Sequence, residues 1–190
     1  MRTSIRYALP LAASLLISAP ISAAEPSYSY AQGGYQTYLD DGEGLFFLGG
    51  SFQLTDDIYM TGEYSSVEFE GDAEIEVIAI RGGYIFRLDS GLHAYAEAGL
   101  ARTELTIDTP LGSASADDTG LMLAGGIRTM LSQDFEARGG LEITTGDADE
   151  INFIGEGVYS FGGALSALGQ LAYGTEAEDL RLRIGVRFDF

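Results

Sequence analysis

The chain lacks cysteine, tryptophan and lysine, and has a single histidine, His93. Without cysteine there is no disulfide, thiol nucleophile or thiolate metal site. One histidine leaves too little for a zinc centre or a histidine-based triad. The 10 basic residues are all arginine and face 29 Asp and Glu, for a net charge of −19 over 190 residues. A chain this acidic repels phosphate backbones, which argues against nucleic acid as a partner. Long apolar runs are scarce as well. The one from Tyr7 to Ala19 is interrupted by Pro10 and is shorter than a membrane-spanning helix needs. Glycine is plentiful, at 26, with 11 Tyr and 10 Phe. That composition suits an all-β chain and not a disordered one.

The first two dozen residues read as an address. Arg2 and Arg6 make a positive start, the short apolar run follows, and Ser22-Ala23-Ala24 places small residues at a cleavage position. Residues 1–24 are expected to be a signal peptide, with a mature domain over 25–190 that has lost two positive charges.

From residue 25 onward one pattern repeats. About ten residues alternate apolar with polar or small, and a polar turn follows. Strands are expected near 28–38, 44–54, 58–68, 75–88, 92–106, 120–131, 135–145, 151–161, 164–173 and 180–190, which makes ten; eight is the alternative, if two segments are discarded. Glycine recurs near mid-strand, from Gly33-Gly34 to Gly185. In a narrow barrel it lets the sheet coil and makes room for bulky side chains from the opposite wall. Connections alternate between tight turns, such as Thr55-Asp56-Asp57 and Asp89-Ser90-Gly91, and longer acidic ones around 39–43, 69–74, 107–119, 146–150 and 174–179. Short periplasmic turns, longer outer loops and an even strand number are the habits of outer-membrane barrels.

Facing follows from the period of two. Leu180, Leu182, Ile184, Val186, Phe188 and Phe190 share one face of the last segment, and Arg181, Arg183, Gly185, Arg187 and Asp189 the other. Glu63, Arg81, Glu97, Arg128, Arg138, Glu142, Glu156 and Arg183 fall near mid-strand on the polar side. Charges of both signs in one layer can pair across a closed lumen. Tyr28, Tyr38, Phe69, Phe86, Phe135, Phe161, Tyr173 and Phe190 near strand ends are expected to form two aromatic girdles. The expectation is an all-β, closed antiparallel transmembrane β-barrel. Arg102 fits badly, because it falls on the lipid phase; its strand must bulge or rise above the bilayer.

The chain ends Arg183-Ile184-Gly185-Val186-Arg187-Phe188-Asp189-Phe190. This resembles the sorting signal of bacterial outer-membrane barrels, with Arg183, Gly185, Phe188 and Phe190 at its key positions. The mature start, Ser27-Tyr28-Ser29-Tyr30-Ala31-Gln32-Gly33-Gly34-Tyr35, is similar to that of a ten-stranded gammaproteobacterial group of OmpA/OmpX-like proteins. The resemblance covers residues 25–190. It implies the outer membrane of a Gram-negative bacterium, lipid and lipopolysaccharide as neighbours, and insertion by the barrel-assembly machinery as a monomer. It implies no active site, so no catalytic residue is assigned.

His93 follows the turn Asp89-Ser90-Gly91 and so falls at the periplasmic rim, away from where surface enzymes of this membrane work. Ten strands enclose little more than a side-chain-filled interior, which Tyr59, Tyr95, Met122, Met130 and Ile154 help to occupy. The expected role is envelope structure or surface interaction, the alternative a narrow porin-like channel for ions or small solutes. The outer loops carry most of the acids and no arginine. No cofactor is expected beyond weak Ca²⁺ or Mg²⁺, with Asp72, Glu74, Glu76, Asp147, Asp149 and Glu150 as candidates. Asp147-x-Asp149-Glu150 lacks the spacing of a calcium loop.

Overall fold

A strand with one apolar face must bury that face, and its backbone N–H and C=O groups must find partners inside the sheet if the surroundings are lipid. The sequence meets both demands by closing on itself. The structure is a computed structural model that describes residues 25–39, 44–69, 73–89, 91–109, 112–146, 149–176 and 178–190. The expected leader, residues 1–24, lies outside the described residues. The strands are β1 (Tyr30–Tyr38), β2 (Gly44–Gln53), β3 (Ile58–Phe69), β4 (Ala73–Asp89), β5 (Leu92–Thr109), β6 (Gly112–Met130), β7 (Phe135–Thr144), β8 (Glu150–Ser160), β9 (Leu165–Gly174) and β10 (Leu180–Asp189). Each pairs antiparallel with its neighbours in sequence, and β10 closes on β1, from Tyr30↔Asp189 to Tyr38↔Arg181. Ten strands form one closed barrel, and the eight-stranded alternative is set aside.

Both termini and the tight turns share one end. Those turns rest on local geometry: Leu54 N–H donates to Ile58 O at 2.8 Å and Leu131 N–H to Phe135 O at 2.8 Å. Gly162 and Gly163 take positive φ, at 91° and 75°, where a side chain would be strained.

The outward face is apolar through the middle of the barrel, with Leu48, Phe52, Ile80, Leu100 and Ile184 all more than half exposed. Surface this apolar costs free energy in water and none in lipid. The Phe69 side chain lies outside the described ones, and among the described residues two expected in the girdles are elsewhere. Tyr28 is only 2 % exposed and sits inside the barrel mouth, because the chain turns inward before β1. Tyr38 has the lumen phase of its strand and lines the interior. Phe86, Phe161 and Phe190 face outward.

Four strands outrun the rest. β4 pairs with β5 as far as Ala73↔Ile107, and β5 with β6 as far as Thr109↔Gly112. The described residues of the segment 107–119, expected as a loop, are therefore strand. Its Ser, Ala and Asp residues have low strand propensity, and pairing to a long neighbour overrides it. The outward apolar face stops at Ile78 on β4 and Leu100 on β5; Glu76 and Arg102 follow. Arg102 thus rises beyond the apolar zone without a bulge, while the one register shift in that pairing lies between Arg87 and Asp89.

The mid-strand glycines serve two ends. Inward ones receive side chains from the adjacent strand or the next but one, and not from the opposite wall as expected. A Cβ on Gly83 would come within 2.2 Å of the Tyr59 ring, one on Gly140 within 2.5 Å of the Tyr95 hydroxyl, and one on Gly185 within 3.1 Å of the Phe47 ring. Gly82, Gly155 and Gly169 have the outward phase, and a Cβ there would meet nothing within 4 Å.

Candidate functional site: the charged lumen

The lumen has three layers. At the end that holds the termini, the chain before β1 folds into the barrel as a stopper. Ser51 Oγ donates to Tyr28 O at 2.7 Å, and Arg128 Nη2 to Ser27 O at 2.8 Å. The Tyr28 ring lies 4.8 Å from that of Tyr59, stacks on His93 at 5.8 Å and carries the Arg128 guanidinium at 4.3 Å. Tyr59, Ile85 and His93 are at most 2 % exposed there. Burial pushes the Tyr28 hydroxyl up to about 12, against the pull of Arg128. Among the described residues, neither that hydroxyl nor either His93 ring nitrogen has a hydrogen-bond partner.

The middle layer is a net of ion pairs. Arg183 grips Glu63 through two bonds, Nη1 to Oε2 at 2.8 Å and Nη2 to Oε1 at 2.9 Å, and also donates to Gln36. Arg81 donates to Glu142 at 2.6 Å and has Nε 3.5 Å from Glu97. Glu97 also accepts the Tyr59 hydroxyl at 2.7 Å and has Arg138 at 3.8 Å. Arg187 donates to Glu156 at 3.0 Å, and Arg128 to Glu136 at 2.5 Å. Charges withdrawn from water are tolerable only when matched in this way. Four of the arginines also lie on rings: Arg183 over Phe47, Arg187 over Tyr30, Arg128 over Tyr28 and Arg138 over Tyr95, at 4.0–4.6 Å.

The eight charges singled out in the sequence thus face one another, with Arg183 on Glu63 and Glu156 on a different arginine. Two members of the net were absent from that set, Glu136 and Arg187. Strand phase points to both: Glu136 lies two residues before Arg138, and Arg187 four after Arg183. The stopper had no such signal, because Ser27-Tyr28-Ser29 reads as the start of a strand.

The third layer is open space. A cavity of about 290 Å³ is lined on one side by Val77, Ala79, Ala101 and Met122, and on the other by Glu142, Asn152, Gln170, Arg181 and Arg183. Its lining runs from Tyr30 and Gln32, near the termini, to Glu150 and Arg181 at the other end, and Tyr28, Tyr59, His93 and Arg128 take no part in it.

The metal candidates among the described residues are not brought together. Glu74 and Glu76 lie on the outward face of β4, and Glu76 accepts the Tyr64 hydroxyl at 2.5 Å. Glu150 stands at the end of the cavity away from the termini, 3.8 Å from Arg181, and Asp149 accepts Gly146 N–H at 3.3 Å. Asp72 and Asp147 lie outside the described residues. Among the described residues no three His, Asp or Glu side chains are grouped for a metal ion. Of the sorting positions, Arg183 and Gly185 face the lumen, while Phe188 and Phe190 are exposed on the outer face.

The fold recurs in solved structures. The KdgM porin shares 12 % identity, with a TM-score of 0.53 over 85 % of this chain and 99 % of the other. Ail of Yersinia pestis, the attachment invasion locus protein, in complex with the heparin analogue sucrose octasulfate, shares 17 % identity, with a TM-score of 0.51 over 87 % and 100 %. The N-terminal barrel of Pseudomonas aeruginosa OprF shares 18 % identity, with a TM-score of 0.47 over 86 % and 98 %. No curated protein matches the sequence. Residues 9–188 match the family described as outer membrane protein beta-barrel domain. With a closed ten-stranded barrel, an apolar outer wall and a paired polar lumen, the chain belongs to that family and resides in the outer membrane of a Gram-negative bacterium.

Proposed function

We propose that the protein is a non-enzymatic barrel whose work is envelope structure or interaction at the cell surface. The observation that carries this reading is the lumen, which is stoppered by the Tyr28 segment and crossed by ion pairs. On this reading a hydrophilic solute finds no passage there. The lone histidine is 1 % exposed behind Tyr28, out of reach of a substrate. KdgM is a porin and Ail an attachment protein, so the fold admits either role. The filled interior favours the second. Ail's partner in its structure is a polyanion, which the acidic outer rim of this chain would repel.

The exposed apolar wall meets outer-membrane lipid, and the acids beyond it meet the phosphates of lipopolysaccharide, with Ca²⁺ or Mg²⁺ between them. In this reading the barrel-assembly machinery recognises β10, so removing Phe190 should deplete heat-modifiable barrel from the outer membrane. Unchanged levels would refute that recognition. The role itself is tested in cells lacking the protein. Detergent sensitivity or surface attachment should change while uptake of small hydrophilic solutes stays the same. The opposite pattern would make the protein a channel.

A further inference from the structure

The lumen cavity is lined by amides whose orientation the arginines fix. Arg183 donates to Gln36 Oε1 from Nη2 at 2.9 Å and from Nε at 3.2 Å, Arg181 donates to Asn152 Oδ1, and Arg187 Nη2 donates to Gln32 Oε1 at 3.2 Å. A guanidinium has no acceptor, so each amide turns its oxygen to the arginine and its NH2 group away. Gln170 is held the opposite way round. Its Nε2 donates to Glu156 Oε2 at 3.4 Å, and a carboxylate only accepts, which leaves the Gln170 carbonyl oxygen for another donor.

All four amides line the cavity. Gln36 and Asn152 are only 7 % and 5 % exposed, yet their NH2 groups bond to no other described residue. Buried donors are ordinarily matched, and an amide whose oxygen already holds a guanidinium is polarised to donate more strongly. Charge disfavours an ionic occupant. The lining holds five glutamates and four arginines, and each of those arginines has a carboxylate oxygen within 3.8 Å. An anion finds no unclaimed cation there, and a cation meets carboxylates that arginine already holds. Across the cavity Val77, Ala79, Ala101 and Met122 offer an aliphatic wall. Apolar lining with a few directed polar groups is the form that small-molecule sites take, and about 290 Å³ lies at the small end of their size range.

We propose that this cavity binds a neutral sugar ring. Each sugar hydroxyl both donates and accepts, so one ring takes the NH2 groups of Gln36 and Asn152 and donates to the Gln170 oxygen, with its C–H face on the aliphatic wall. The Tyr28 segment closes the end that holds the termini, so the sugar enters from the other end. The inference goes beyond the surface role proposed above and concerns retention in the lumen, not passage through it.

The test titrates the full barrel in nanodiscs, by calorimetry, with glucose, galactose, mannose and N-acetylglucosamine, and with glucuronate and glucosamine as charged counterparts. Empty nanodiscs supply the background. At least one neutral sugar should bind, and both charged sugars should bind at least tenfold more weakly than it does. Gln36→Glu and Asn152→Asp keep an oxygen on the arginine and remove the NH2 group, and each should weaken binding at least tenfold. Ala79→Leu fills the cavity from its apolar wall without touching a polar group and should abolish binding, which keeps the experiment decisive should a new carboxylate disturb the ion pairs. Binding of no neutral sugar, equal binding of the charged ones, or a neutral sugar held as well by the Gln36→Glu and Ala79→Leu barrels as by the parent would overturn the proposal. Uptake of the bound sugar by cells is measured alongside. Uptake that rises with the protein would refute the surface role and leave the site standing, so the two readings fail separately.

Discussion

Glycine decides where the rings of this barrel lie, and two substitutions separate the two uses of it. A Cβ at Gly185 would stand 2.4 Å from Gly33 O and 3.1 Å from the Phe47 ring. Gly185→Val should therefore lower stability by about 1–3 kcal/mol through overpacking. Gly155 faces open space at ordinary φ, so Gly155→Ala should raise stability by about 0.4–1 kcal/mol, because the unfolded chain loses freedom. Thermal melting in detergent reads both, and equal shifts would mean that the glycine pattern has no steric basis. Among the charges, Arg183 is the most fully engaged. Arg183→Ala leaves Glu63 in a confined lumen without its partner, at a cost of about 3–5 kcal/mol. Arg183→Ala combined with Glu63→Ala should recover part of that loss. A melting curve unmoved by the single change would place Arg183 in bulk water.

The N-terminal stopper and the first part of β6, residues 112–119, are the two elements that a strand pattern conceals. Alternation made ten strands legible because each has lipid on one face and packed side chains on the other. It marked the lumen charges for the same reason. It failed at Tyr28, where the chain leaves the sheet to enter the barrel and the alternating phase stops carrying meaning. It failed again at 112–119, where both faces leave the lipid and a Ser/Ala run has no reason to alternate in hydropathy. The stopper makes its own prediction. The Tyr28 hydroxyl is buried without a hydrogen-bond partner among the described residues, so Tyr28→Phe should leave stability unchanged or raise it. Tyr28→Ala removes a buried ring and should cost about 3 kcal/mol. A loss with Phe as large as with Ala would show that the hydroxyl is bonded and the ring unimportant.

At the scale of the whole molecule, charge and closure dominate. With acids gathered beyond the lipid zone, millimolar Ca²⁺ should raise the melting temperature more than NaCl of the same ionic strength. The affinity should be weak, on the order of 10⁻⁴–10⁻³ M, because the carboxylates are spread out and hydrated. Glu74→Gln with Glu76→Gln should shrink the difference, and identical curves in the two salts would leave the acids with solubility alone. The lumen carries the central claim. It combines a buried stopper and five arginines held on carboxylates, and on the proposed reading the folded protein does not conduct. Single-channel recording of the refolded barrel in a planar bilayer tests this most directly. The account predicts a silent membrane across the voltage range. Stable, stepwise ionic currents from the intact protein would contradict it.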